Sequence, residues 1–282
     1  MTQALAKNER YQSQFKGIVD GSSPEWLDGL RRQGMKDFSS LGFPTARRGN
    51  ENWKYTNINA IANAEFDIAP ASDVALEGLK QSAPWDDDWT TLVFVNGRYS
   101  ADMSNPSTDA SVTVGSISEL TRSNGNILES HLTSIAPTAN DGFAALNTAF
   151  VQDGAFVHVA EGVDLETPLH LLFVSTANET PFITHPRVLV VAGKESNATI
   201  IESYVGVGEG KYFSNVVSEI ILEAGAQVDH YRLLDESDEA YHVGVARVSQ
   251  GDDSSFSSAA FYNNVRLGRH DLLVTIGDRC EI

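Results

Sequence analysis

Seven histidines are the side chains best suited to chemistry: His131, His158, His170, His185, His230, His242 and His270. An imidazole moves protons near neutral pH or binds a metal through a ring nitrogen. No His-Glu-x-x-His or other short ligand spacing occurs, so each alone reads as a packed or surface histidine. Coils of a stacked fold can still gather histidines distant in sequence. Cys280 is the single thiol, too few for an internal disulfide, a structural zinc site or an iron–sulfur cage. It reads as a small buried or edge hydrophobe, or as one ligand lent to a subunit interface. Gly206-Val207-Gly208-Glu209-Gly210 has the glycines of a phosphate loop but no following helix, and Lys211 is its one nearby base, so it reads as a turn. Gly193-Lys194-Glu195 lacks the other parts of a P-loop, so nucleotide hydrolysis is not expected. No Gly-x-Ser-x-Gly elbow occurs. Asp235-Glu236 and Asp252-Asp253 fall in turns and read as solvated. A solenoid lyase or glycosidase needs such acids on a strand face. No residue is assigned a catalytic role, and no cofactor- or metal-binding residue is assigned.

Composition narrows the class. The chain has 282 residues, 41% apolar and 21% charged, the balance of a globular protein. Its net charge is −18, which argues against nucleic acid. Residues 1–150 hold 18 acids and 12 bases; residues 151–282 hold 20 and 8. Arg31, Arg32, Lys36, Arg47, Arg48 and Lys54 form a basic stretch that reads as a solvated helix and loop, or as a docking patch for an acidic partner. No apolar run reaches the ~20 residues of a membrane helix, and no signal-peptide core opens the chain. With one cysteine, a reducing, cytoplasmic setting is expected.

The elements that must position these groups fall into two textures. Residues 3–18 read as helix. A second helix has Ser23 as cap, Pro24 at its first position and Gly42 as its stop. Residues 43–56 read as an ordered loop and 69–89 as a linker. Thr91 to Val95 reads as a strand, and Asn96-Gly97 as a hairpin turn into Arg98-Tyr99. Short helices are expected over 116–120, 127–135 and 141–150, the last capped by Asp141. From residue 155 aliphatic strands alternate with glycine turns and no helix signal returns. Gly162, Gly193, Gly225, Gly251 and Gly277 recur at a nearly even interval. That spacing favours a β-solenoid over a sandwich or barrel. The division is thus 1–150, helical and mixed, and 151–282, solenoid. Leu169 to Val174 and Val188 to Val191 are apolar on both faces, so the N-terminal region or a partner must cover their outer side. Cys280-Glu281-Ile282 follows a strand without a cap, which suggests truncation or a partner over the open end.

Glu51-Asn52-Trp53-Lys54-Tyr55-Thr56 resembles the N-terminal signature of SufD-type members of the SufB/SufD family, the scaffold of SUF iron–sulfur cluster assembly. Residues 92–99, Ala145 to Phe150 with Asp153-Gly154, His185-Pro186-Arg187, residues 225–231 and Arg269 to Leu272 are similar to further family segments. The resemblance covers about 24–282. Asn263-Asn264 departs from the paired glycines that members often carry there. The resemblance implies an N-terminal helical region, a right-handed parallel β-helix and a C-terminal helical domain, the last absent here. It implies a non-catalytic scaffold that pairs with a SufB-like paralogue through the β-helix. A SufC-like ABC ATPase would dock on the missing domain. A cluster is expected only transiently at the SufB-like interface, and no cofactor is expected to stay on this chain alone. The family's interface histidine and cysteine lie beyond residue 282, and no flavin motif occurs. The rival readings are a β-helix polysaccharide lyase or hydrolase and an unrelated binding solenoid.

Overall fold

Aliphatic runs with few breakers become strands, and each strand pairs with one from the preceding coil. The computed structural model describes residues 10–45, 51–107, 109–123, 125–177 and 179–282. One sheet runs β1 (Asp67–Ile68), β7 (Phe182–Thr184), β10 (Tyr212–Leu222), β8 (Arg187–Ala192), β5 (Gly154–Val159) and β4 (Val112–Ser116). β12 (Tyr241–Gln250) lies beside β10, and β14 (Leu267–Thr275) beside β12. The other sheet runs β13 (Ser255–Asn264), β11 (Gln227–Asp235), β9 (Asn197–Val207), β6 (Leu169–Thr176), β2 (Thr90–Val95) and β3 (Arg98–Tyr99). The chain alternates between the sheets, one strand in each per coil. Within these sheets only β2–β3 and β4–β5 are antiparallel. The result is a parallel β-solenoid of about four turns, preceded by a helical region.

The ladders fix the coil length. Gly154 pairs with Arg187, Asn197 with Gln227, Gln227 with Ser255 and Tyr241 with Leu267, so the coils shorten steadily toward the C-terminal end. Two corner columns stack along them. Gly162, Glu195, Gly225, Asp253 and Arg279 all have positive φ, between 54° and 72°. The first four donate N–H to the carbonyl just before the next member. Gly193, Gly251 and Gly277 form the other column. Their Cβ atoms would stand 2.8 to 3.0 Å from backbone of the coil below, so a side chain at these three corners would force the backbone to shift, whereas Glu223 makes the same corner bond between Gly193 and Gly251 with a side chain in place. The recurring glycines of the sequence therefore belong to two columns, and no single period describes them.

The doubly apolar strands are covered by the chain itself. Leu189 and Val191 pack outward against Leu27, Ile117, Leu128 and Leu132. Val93, Leu172, Val174 and Val205 pack against Val74, Leu79, Trp85 and Met103. The helix Gly142–Phe150 lies on the outer face of β10 and β12, over Phe213, Val217, Val243 and Val245, and the helix Glu25–Leu41 packs closely against it at Gly34.

Local expectations hold in part. Asp141 caps its helix through Phe143 N and Ala144 N, and Gly42 (φ 63°) ends the earlier one with an N–H to Phe38 O. Asn96 (φ 49°) and Gly97 (φ 77°) make the β2–β3 turn. Ser23 does not cap; its hydroxyl accepts from Arg31 Nη1, and Pro24 precedes a helix that begins at Glu25. The 69–89 stretch contains the helix Leu76–Ser82, because Leu79 buries against the second sheet. The helix expected over 127–135 is Gly125–His131. Residues 10–15 are helical, and the earlier part of that predicted helix lies outside the described residues. The basic stretch does not act as one patch. Arg31 is buried on Asp28, Arg32 pairs with Glu25 and Lys54 with Glu51, while Arg47 and Arg48 lie outside the described residues.

Candidate functional site

Strand alternation puts every second residue inside the solenoid. Ala198, Ile200 and Tyr204 on β9, Val228 and Leu234 on β11, and Val216, Ile220 and Leu222 on β10 fill the core. The same parity turns Glu202, His230, Arg232, Ser214 and Ser218 inward. On β12 it does so for His242 and Gly244, and on β14 for His270. Register then assembles them: Glu202 lies beside Arg232, His230 beside Ser258, Ser214 beside His242 and Gly244 beside His270. The coils built on β5, β6 and β8 are apolar inside, so polarity begins at Glu202 and continues toward β13 and β14.

Glu202 is the hub. It accepts from Arg232 Nη2 (2.7 Å), Tyr204 OH (2.7 Å) and Ser218 Oγ (3.1 Å), and it meets His230 Nε2 at 3.0 Å. His230 Nδ1 reaches Ser258 Oγ at 3.0 Å. Alongside, Glu236 accepts from Ser214 Oγ (2.7 Å) and meets His242 Nδ1 at 2.9 Å. The Tyr204 ring stands edge-on to His242, centroids 4.7 Å apart. Glu202, Arg232, His230, His242 and Glu236 are all buried. Burial alone would raise the Glu202 pKa. The Arg232 charge and the bonds from His230 and Tyr204 outweigh it and hold the carboxyl well below its usual range. Burial and the Glu202 charge push the Tyr204 phenol well up. Burial, then Arg232, lowers His270 to about 3. Gly244 makes room for the guanidinium, because a Cβ there would overlap Arg232 Nη1. Arg232 Nε and Nη1, His242 Nε2 and His270 Nε2 have no partner among the described residues.

A second buried pair, Arg187 with Glu219, sits on the outer face of the first sheet beneath the helix Gly142–Phe150. Glu219 also accepts from the backbone N–H of Thr133, Ile135 and Ala136 at 2.8 to 3.1 Å. Asn147 donates to the carbonyls of Pro186 and Asn215, and Arg187 Nη1 donates to Asn147 and Thr148. Arg269 lies 3.9 Å over the Trp53 ring and donates to Thr56 Oγ1 at 3.0 Å. The segments quoted for the resemblance are thus where the N-terminal region locks onto the coils.

The structure places the remaining candidates as follows. His230, His242 and His270 come together, whereas His131, His158, His170 and His185 stay apart from them. His185 stacks on Phe150 at 5.2 Å, and His170 reaches Ser203 Oγ at 2.9 Å. Cys280 is half-buried, with Sγ donating to Gly251 O at 3.1 Å. The 206–210 glycines turn between β9 and β10, and Lys211 lies over Phe66 and Tyr241. Asp252 and Asp253 bind the next corner, through Asp278 N and Arg279. Glu236 is 3% exposed, which corrects its reading as a solvated turn acid; it pairs with His242 inside the solenoid. Sequence reasoning misses Glu202 and Arg232. Their signal is a charge at an inward position of an otherwise apolar alternation, on strands one coil apart.

Two family models divide the chain between them. "SufBD protein N-terminal region" matches residues 6–171, and "SUF system FeS cluster assembly, SufBD core domain" matches 173–282. An iron–sulfur cluster assembly SufBD family protein of Synechocystis sp. is 30% identical over 263 residues, 87% of this chain and 56% of that protein. SufD of Bacillus subtilis is 27% identical over 233 residues, 80% of this chain and 52% of that protein. SufD of Escherichia coli is 24% identical over 242 residues, 85% of this chain and 54% of that protein. The chain spans little more than half the length of these relatives. With both family models laid end to end on a helical region and the solenoid it covers, the chain belongs to the SufBD family of the SUF iron–sulfur cluster assembly system.

Proposed function

We propose that this chain serves iron–sulfur cluster assembly as a non-catalytic scaffold subunit, paired with a SufB-like solenoid and served by a SufC-like ABC ATPase. The carrying observation is the match of both family models across residues 6–282. The cluster is cargo in this reading, held at the interface of the two solenoids and not retained by this chain alone. The acids also favour a scaffold over a glycosidase. Glu202 and Glu236 are committed to Arg232, His230 and His242, and Asp252 and Asp253 to a corner contact. The doubly apolar strands supply no pairing surface, because the N-terminal region covers them. Pairing is assigned instead to the exposed apolar side chains of β13 and β14 and the turn after them, Phe261, Leu273 and Ile276, each 57% exposed.

Anaerobic reconstitution tests this. The purified chain, a SufB-like subunit and the ATPase are supplied with ferrous iron, sulfide and ATP. Cluster absorbance is expected in the ternary mixture and not with this chain alone. Equal cluster yield from the partners without this chain overturns the scaffold role.

A further inference from the structure

Where the N-terminal region meets the coils, a cavity of about 30 Å³ lies between Ile18 and Phe150 on one side and Arg98, Asp153, Thr184 and His185 on the other. That is room for one small group, since a single water needs about 10–15 Å³. His185 Nε2 is buried and has no partner among the described residues. A neighbour places the proton on this ring. Asn215 Nδ2 donates to Phe143 O at 3.1 Å, which fixes the amide, so it faces His185 Nδ1 at 3.2 Å as a donor too. Nδ1 therefore accepts, and Nε2 carries the hydrogen. Asn215 lies off the cavity, which leaves Nε2 as the ring nitrogen that faces it. Burial lowers the ring's pKa to about 3, so it is neutral at ordinary pH. A buried N–H without an acceptor is costly, and the cavity calls for a guest that accepts.

The charge of the guest follows from the same wall. Arg98 Nη1 donates to Ala69 O at 3.0 Å, and no carboxylate among the described residues pairs with this guanidinium. Asp153 also lines the wall, but its oxygens are engaged. Oδ1 accepts from Ser116 Oγ, Ser118 N and Gly154 N, and Oδ2 accepts from Tyr99 N. Arg98, Gln152 and Asp153 also line a neighbouring cleft of about 310 Å³. The cleft adds Arg122 and Glu119, both exposed and neither in an ion pair among the described residues. With Asp153 met by four donors, the uncommitted charges are two guanidiniums against one carboxylate, and one monoanion balances them. A carboxylate suits both donors of the cavity. It accepts from His185 Nε2–H, and its planar pair of oxygens matches the parallel N–H groups of a guanidinium.

We propose that this seam binds one small carboxylic acid as its anion, the carboxylate seated in the cavity between His185 and Arg98 and the rest of the molecule lying in the cleft toward Arg122. The site does not rest on the assembly role.

Acetate is the probe, with acetamide as its neutral counterpart of the same shape. The nitrogen-15-labelled full chain is titrated with each near neutral pH at constant ionic strength. Acetate is expected to saturate at one site per chain and to move the His185 Nε2–H resonance, and acetamide to bind about tenfold more weakly or less. Arg98→Gln should weaken acetate by about tenfold or more while the thermal midpoint stays unchanged, because Arg98 is exposed. No saturable shift at His185, equal binding of acetamide, or full acetate affinity in Arg98→Gln would each overturn the site. Should that variant fail to fold, His185→Phe takes its place, read by titration calorimetry. It keeps a ring against Phe150 but removes the donor, and undiminished acetate affinity there would overturn the site as well.

Discussion

Glu202 accepts from Arg232, Tyr204 and Ser218 and meets His230, all inside the solenoid, so its charge state and that of Arg232 are tied together. Arg232→Met leaves the carboxylate buried without its counter-charge and is expected to destabilise by about 3–5 kcal/mol in urea unfolding. Adding Glu202→Gln should recover part of that loss; a double variant as unstable as the sum of the singles would contradict the pairing. The pH dependence has a definite sign. The folded-state pKa of Glu202 is depressed, so its contribution is present above the ordinary carboxylate range and lost as pH falls through the folded value. Burial lowers His185 from 6.5 to about 3, so between those values the unfolded chain binds the extra proton, and stability falls as pH drops below 6.5. The two groups act in the same direction, and the urea midpoint should decline continuously from pH 7 to 4. His185→Phe keeps a ring against Phe150 and should flatten the pH 7 to 5 part of that curve. An unchanged slope there would mean His185 is not buried as a neutral ring.

Among the elements, the N-terminal region and the coils are joined at a few polar and aromatic locks. Trp53 and Arg269 come from segments near opposite ends of the chain and stack at 3.9 Å. A double-mutant cycle with Trp53→Leu and Arg269→Met should show a coupling of about 1 kcal/mol. A coupling near zero would reduce the stack to coincidence. At this scale the sequence is readable wherever structure is local. The Asn96-Gly97 turn, the Asp141 cap and the aliphatic strands each carry their signal within a short window. Register is not local. Nothing within β9 says that Glu202 faces Arg232, because that follows from the length of one coil whose neighbours are longer on one side and shorter on the other. The same drift in coil length hides the two corner columns. Ser23 and Glu236 mislead because Arg31 and His242, which claim them, lie elsewhere in the chain or across a turn.

At the scale of the whole molecule, a solenoid sheathed on one side by its own N-terminal region leaves Phe261 on β13 and Leu273 on β14 exposed. Among the described residues no helix is long and apolar enough to cross a membrane. Phe261→Asp with Leu273→Asp places two charges on β13 and β14 and should weaken the proposed pairing at least tenfold in a pull-down without lowering thermal stability, since both side chains are 57% exposed. Unchanged pairing would move the interface elsewhere. The most direct measurement is native mass spectrometry on the assembly purified at low salt from the protein's own host. The account predicts this chain in one particle with a second β-solenoid subunit and an ABC ATPase. Recovery of the chain alone, or only with copies of itself, from an extract in which those subunits are abundant would contradict it.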